Sequence, residues 1–177
     1  MNRATQGFTL MESLTVVAIL AAVAALAMPV MASIHQRART SAALHLLTAS
    51  LATARIMAVS KRRSVTICPS RDGSSCRADL NWDAGWIIYL DPGREAQPAS
   101  SALVMQHSDG PKGVTIRSTA GRHRVRYLPN GMSSGTNVSL SLCSTADTRL
   151  IGRVFINNAG RTRSERPAAL APCPYVP

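Results

Sequence analysis

Four things are scarce or missing in this sequence, and the first three each remove a class of function. Aromatic residues make up 4% of the chain (two Trp, three Tyr, two Phe), too few and too scattered for a platform that stacks single-stranded bases. Catalytic furniture is absent: His35, His45, His107 and His123 stand alone, and no phosphate loop, G-x-S-x-G turn or H-E-x-x-H helix occurs. The expectation is therefore a protein that is not an enzyme. No two cysteines form a C-x-x-C pair and no histidine sits at ligand spacing beside one, so neither a metal nor a cofactor is expected. Acid is scarce as well, with nine Asp and Glu against twenty Lys and Arg and a formal charge of +11. Between Glu12 and Arg37 there is no charge of either sign.

That uncharged stretch is the most informative segment present. At about 1.5 Å per residue, a helix from Ser13 to Ile34 spans roughly 30 Å, the thickness of a hydrocarbon core. Glu12 lies at its edge, where a carboxylate is costly without a partner and so marks a functional group. A short polar leader ends in Gly7, Phe8-Thr9-Leu10-Met11-Glu12-Ser13-Leu14 follows, and Pro29 interrupts the apolar run. This pattern resembles the class III leader of type IV pilins and type II secretion pseudopilins. The resemblance implies that a prepilin peptidase cuts after Gly7 and methylates Phe8, and that Glu12 pairs with the terminal amine of a neighbouring pilin. An ion pair formed in lipid relieves two desolvated charges at once. An ordinary secretory signal would carry a basic leader, a shorter apolar region and a small-residue cleavage site, whereas here only Arg3 precedes the run. Arg37, Arg39 and Arg55 follow the span, and the positive-inside bias alone would leave the C-terminal part in the cytoplasm. The resemblance places it outside: a single pass through the inner membrane with a periplasmic domain, then assembly into a pilus at the cell surface. The cysteines argue the same way.

Those cysteines are Cys68, Cys76, Cys143 and Cys173. An even number in an exported chain points to disulfides, with three possible connectivities. The preferred reading joins Cys68 to Cys76 across a polar loop and Cys143 to Cys173, tying a proline-rich tail to a strand; four buried thiols are the alternative.

Beyond the span the helical pattern continues. Leu44, Leu47, Leu51, Ala54 and Ala58 recur at steps of three and four, the stripe of an amphipathic helix packed on a domain. Pro29 should bend or loosen the helix within the span. Lys61-Arg62-Arg63 suits the negative end of its dipole. After Ser64 the period becomes two, with strand candidates at 64–68, 85–90, 103–106, 113–117, 125–128, 137–143 and 153–157. Asn130-Gly131 and Gly135 supply turn chemistry. Asp91–Ser101 reads as a loop and Pro167–Pro177 as a loosely structured tail. The expected fold is α+β and pilin-like: a long N-terminal helix, membrane-spanning in its first half, packed on an antiparallel β-sheet or β-sandwich domain. Its parts are a leader (1–7), a membrane or pilus-core helix (8–34), the outer half of that helix (35–63) and a globular β domain with its tail (64–177).

Trp82-Asp83-Ala84-Gly85-Trp86, then Tyr127-Leu128-Pro129-Asn130-Gly131, then Val154-Phe155-Ile156-Asn157 leading into Gly160-Arg161-Thr162-Arg163, together resemble the GspH/FimT branch of minor pilins. The two tryptophans read as packing. Gly160-Arg161-Thr162-Arg163 resembles the G-R-x-R motif of FimT-type pilins, which implies binding of DNA during natural transformation. In an extended segment, Arg161 and Arg163 point the same way roughly 6.6 Å apart. Guanidinium forks grip phosphate oxygens through two parallel bonds, and Gly160 frees the backbone to turn. From Gly110 onward ten basic residues face only Asp147 and Glu165. Arg122, Arg124 and Arg126 alternate along an expected strand to form a candidate cationic ridge, flanked by Lys112 and Arg117, with Arg149, Arg153 and Arg166 as lesser candidates. A solvated sheet face without a ligand is the bland alternative. The expected partner is double-stranded DNA, held through its phosphates without regard to sequence. A structural minor pilin, or a pseudopilin of type II secretion, is the competing reading.

Overall fold

The computed structural model describes residues 9–133, 135, 137–167 and 171–175. The expected cleavage and methylation positions, Gly7 and Phe8, lie outside the described residues. Helix α1 (Leu10–Lys61) opens the structure. Thr9 caps it, its hydroxyl accepting the backbone N–H of Glu12 at 3.3 Å. Glu12 sits in the first turn, where the positive end of the helix dipole favours a carboxylate. The helix continues through Pro29 without a break.

The chain divides into two compact units, Met1–Ala38 and Arg39–Pro177. In the first, Leu10–Met28 has a mean hydropathy of 2.2 and none of it is buried, so it is long and apolar enough to cross a membrane. Ile34–Lys61 meets the same criteria of length and composition, but 39% of it is buried. Its apolar stripe belongs to the core of the second unit. Leu44, Leu47, Leu51, Ala54 and Ala58 are all buried, as their spacing predicts.

The second unit adds eight strands: β1 (Val65–Pro69), β2 (Gly85–Leu90), β3 (Val104–Asp109), β4 (Val114–Ser118), β5 (Val125–Tyr127), β6 (Val138–Ser144), β7 (Leu150–Ile156) and β8 (Thr162–Glu165). They form two antiparallel sheets of four, ordered β3-β2-β1-β5 and β4-β6-β7-β8. One hydrophobic core joins the helix stripe to the inner faces of both, through residues such as Ile67, Ile88, Ile116, Leu140 and Val154. Alternation along β7 explains the burial: Gly152, Val154 and Ile156 face in, while Ile151, Arg153 and Phe155 face out. Gly152 lets β7 approach the helix closely: a Cβ there would lie 2.9 Å from Leu44 Cδ2, so that side chain would have to shift.

Trp82 and Trp86 are fully buried, with ring centroids 6.4 Å apart and planes tilted by 48°, and they pack within the core. The disulfides Cys68–Cys76 and Cys143–Cys173 both form, with Cα separations of 5.6 and 5.8 Å, matching the preferred pairing. The sequence-based strand set stops at 157, whereas the structure adds β8 as the edge strand of the second sheet. Arg161 and Arg163 therefore belong to a hairpin and not to a loose end.

Candidate nucleic-acid interface

The β7–β8 hairpin closes through backbone bonds. Gly160 N donates to Asn157 O (2.8 Å) and Asn157 N to Arg161 O (3.2 Å). The Asn157 side chain accepts from Arg161 N at 3.0 Å. Gly160 has φ +70°, and a Cβ at this position would fall 2.1 Å from the Gly131 carbonyl oxygen. Only glycine satisfies both the left-handed backbone and that close approach. The motif glycine is thus a structural requirement of the hairpin, and it seats the Pro129-Asn130-Gly131 turn against Gly160.

Arg55 of α1 locks the two turns together. Its Nε donates to Gly131 O (2.9 Å) and its Nη2 to Ala159 O (3.3 Å). Ser133 N adds a bond to Asn158 O at 3.0 Å. Sequence reasoning placed Arg55 only among the basic residues after the span. The available signal was its position one turn beyond Leu51, on the flank of the buried stripe.

Register puts Arg163 opposite Phe155 and Glu165 opposite Arg153. The motif arginines share one open groove of about 550 Å³, lined by Phe155, Asn157, Arg161, Thr162, Arg163 and Glu165. Arg161 is exposed and has no side-chain partner among the described residues. Arg163, with 76% of its side chain exposed, forms an ion pair with Glu165 two residues on. The groove is therefore cationic but partly compensated. Arg153, half-buried and between Ser141 and Glu165 in register, adds a positive charge to the same outer face. Arg117 lies farther along that row, held by Asp83 at 2.6 Å.

The expected ridge of Arg122, Arg124 and Arg126 is not built. Strand β5 spans only Val125–Tyr127, so Arg122 lies in the preceding turn, exposed, with its backbone N–H on Thr119 O. Arg126 is committed inward. Its Nε meets Asp91 Oδ2 at 2.8 Å, and its Nη2 donates to Glu95 O at 2.8 Å. Asp91 is 2% exposed and also accepts from Thr66 Oγ1 (2.6 Å) and Glu95 N (2.7 Å), so removing Arg126 would strand a buried carboxylate. Arg124 Nη1 donates to the same Glu95 carbonyl at 3.3 Å. These two arginines pin a loop, and Arg126 is not available to a phosphate.

The flanking candidates are elsewhere. Lys112 lines a separate groove beside α1 with Arg39, Ala42, His45, Leu46 and Ala49. Arg166 is exposed, with its Nη2 donating to Ser41 Oγ at 2.9 Å. Arg149 pairs with Asp147, whose carboxyl is held below the usual range mainly by that hydrogen bond. Among the described residues no cluster of His, Cys, Asp or Glu could hold a metal ion.

A capped apolar helix of more than fifty residues, continuing into a two-sheet antiparallel domain stapled by disulfides, is the architecture of a pilin-type subunit. The family model for GspH, described as type II transport protein GspH, matches residues 43–160. The chain belongs to the GspH family. Its fold is shared with solved minor pilins and pseudopilins. The type IV minor pilin FimU of Pseudomonas aeruginosa, in two crystal forms, matches at 23% and 22% identity with TM-scores of 0.57 and 0.60. These matches cover 75% and 79% of this chain and 98% of the solved chain in each case. The minor pseudopilin EpsH from the type 2 secretion system of Vibrio cholerae matches at 11% identity and a TM-score of 0.52, over 74% of this chain and 99% of that one. No curated protein matches the chain in sequence.

Proposed function

We propose that this protein is a FimT-like minor pilin of a type IV pilus that binds extracellular double-stranded DNA for uptake in natural transformation. The contact is electrostatic and independent of sequence, made by Arg161 and Arg163 on the β7–β8 hairpin. The observation that carries the reading is their shared open groove on a hairpin fixed by Arg55, with no side-chain partner for Arg161 among the described residues. A guanidinium held on a rigid edge meets a phosphate at little entropic cost. Before assembly the subunit sits in the inner membrane through α1 with its β domain in the periplasm. Prepilin peptidase cuts after Gly7 and methylates Phe8, and Glu12 then meets the terminal amine of a neighbouring pilin. The exposed Glu12 carboxylate supports that role, having no partner within the described chain.

The test is duplex binding by the full chain in non-ionic detergent, with Arg161→Gln/Arg163→Gln as the variant. Loss of the Arg161 contact should make the slope of log K against log salt shallower by about 0.9, and by up to about 1.8 to the extent that Arg163 leaves Glu165 for a phosphate, which at about 0.15 M salt is roughly 5-fold to 30-fold in affinity. An unchanged affinity and slope would remove the motif from the mechanism. A second reading has its own support: the family model is described as a type II transport protein, and the Arg163–Glu165 pair reduces the charge on the hairpin. On that reading the chain is a minor pseudopilin, or a structural minor pilin, that assembles with other pilins and shows no affinity for DNA.

A further inference from the structure

The basic run that closes α1 has a neighbour the helix dipole does not explain. Lys61, Arg62 and Arg63 line a cleft of about 470 Å³ together with Arg94, which comes from a separate loop after β2; Ser64, Pro92 and Pro129 complete it. All four cations are exposed, the lining contains no carboxylate, and among the described residues none of the four side chains has a hydrogen-bond or ion-pair partner. Asp91 is turned inward onto Thr66 and Arg126, and Glu95, exposed and next to Arg94 in sequence, forms no ion pair with it among the described residues. Gathering four like charges without a counter-ion raises the energy of the free protein, and an anion in the cleft relieves it.

The backbone carries a second, independent sign. Among the described residues three non-glycine positions have positive φ, and two of them, Arg62 (51°) and Arg94 (58°), line this cleft. Arginine is poorly suited to the left-handed region, and such backbone tends to persist at ligand sites.

The cleft adjoins the hairpin groove. Pro129 lines the cleft, and two residues on, Gly131 contacts Gly160 and Arg55. A Cβ on Gly131 would also lie 3.2 Å from Val59 Cγ2, and three residues beyond Val59, roughly 5 Å of axial rise, comes Arg62. One turn thus separates two basic sites. We propose that the Lys61–Arg63 and Arg94 cleft is a second phosphodiester-binding site, which takes further backbone phosphates of the same duplex held at Arg161 and Arg163. The inference rests on the function proposed above and extends its contact surface across the Pro129–Gly131 turn.

The experiment uses the full chain in non-ionic detergent and a fluorescent duplex of about 24 base pairs, titrated across a salt series. The variant is Lys61→Gln/Arg62→Asn/Arg63→Gln/Arg94→Asn, with asparagine chosen where φ is positive because it tolerates that region. If two of the four cations meet phosphates at once, affinity drops about 30-fold near 0.15 M salt and the slope becomes shallower by about 1.8. Arg62→Lys/Arg63→Lys/Arg94→Lys keeps the charge and retains most of the binding. Arg94→Asn alone sits on a surface loop and makes the slope shallower by about 0.9, so the idea stays testable if the quadruple variant is unstable. Wild-type affinity and slope in the cleft variants, alongside lost binding in Arg161→Gln/Arg163→Gln, would overturn the second site and leave the hairpin reading intact. Absence of duplex binding by the wild-type chain would overturn both.

Discussion

On the function proposed above, replacing Glu165 with glutamine tightens duplex binding, and the size of the gain follows from the hairpin. Glu165 carries the carboxylate that pairs with Arg163, and it stands opposite Arg153 in the β7–β8 register. Both members of the pair are open to water, with side-chain exposures of 76% and 44%, so breaking it changes folding stability by about 0–1 kcal/mol. The change at the ligand is larger. Glutamine keeps the shape and removes one negative charge from a groove lined by Arg161 and Arg163. If Arg163 then neutralises one further phosphate, the salt slope steepens by about 0.9, which at about 0.15 M salt is roughly a five-fold gain. The assay is a salt titration of duplex binding, run for Glu165→Gln, for Arg163→Gln and for the two combined. The combination separates release of Arg163 from the simpler relief of repulsion between Glu165 and phosphate. An affinity and slope equal to wild type in Glu165→Gln would refute the reasoning, because it would mean that the Arg163 side of the groove never faces phosphate.

The remaining predictions concern what holds the site. Gly160→Ala forces a Cβ to within 2.1 Å of the Gly131 carbonyl in a backbone of positive φ; a loss of about 2 kcal/mol or more is expected, read as a lower thermal midpoint. Removing the Cys143–Cys173 bridge, with a sequence separation of 30, should cost about 3.6 kcal/mol by loop-closure entropy. Removing Cys68–Cys76, with a separation of 8, should cost about 2.5 kcal/mol, and denaturant midpoints in the reverse order would contradict the argument. Asp72, Asp79 and Asp147 have carboxyls held below their ordinary value of 3.8, through hydrogen bonds led by Ser75, Arg77 and Arg149 respectively. Because the folded-state values are depressed, their contribution is fully present above that value and is lost as pH falls below it. Stability followed by near-ultraviolet circular dichroism should hold from neutrality to about pH 5 and decline in more acid solution.

How much of this was legible in the sequence depended on the range of the interaction. Leu44, Leu47, Leu51, Ala54 and Ala58 declare the buried helix face because helical spacing is a local property, and β6 declares itself through Val138, Leu140 and Leu142. Strand β8 was hidden because Thr162-Arg163-Ser164-Glu165 has no apolar residue to alternate. It is an edge strand whose register partners to the buried Ile156 and Val154 are the polar Thr162 and Ser164, the latter exposed. The candidate site divided in the same way. Arg161 and Arg163 stand out as candidates in the sequence because their motif and their hairpin are contiguous. Arg126 was misread because its partner Asp91 is 35 residues away and buried, a contact that no periodicity reveals. Arg55 reaches 76 and 104 residues to its two carbonyls and was equally invisible as a buttress.

A count of charges is therefore a poor guide to where a polyanion docks. Arg117, Arg126, Arg149 and Arg163 are each matched to a carboxylate, so the excess of cations after Gly110 is less available than it looks. Beyond a Debye length of about 8 Å an ion pair contributes little field, and within that length a phosphate must compete with the carboxylate already present. Unpaired cations meet neither obstacle. Among the described residues, Arg161 on the hairpin and the four cations of the Lys61–Arg63 and Arg94 cleft are such groups, on either side of the turn that Arg55 holds; Lys112 and Arg122 are others, elsewhere on the domain. Affinity should then track the number of unpaired guanidinium and ammonium groups along that path rather than net charge. Charge neutralisation at Arg117 or Arg149 should leave the salt slope of duplex binding unchanged, whereas neutralisation at Arg161 should make it shallower by about 0.9. Equal slope changes at all three positions would mean that the domain acts as a diffuse cation and that the hairpin has no privileged role.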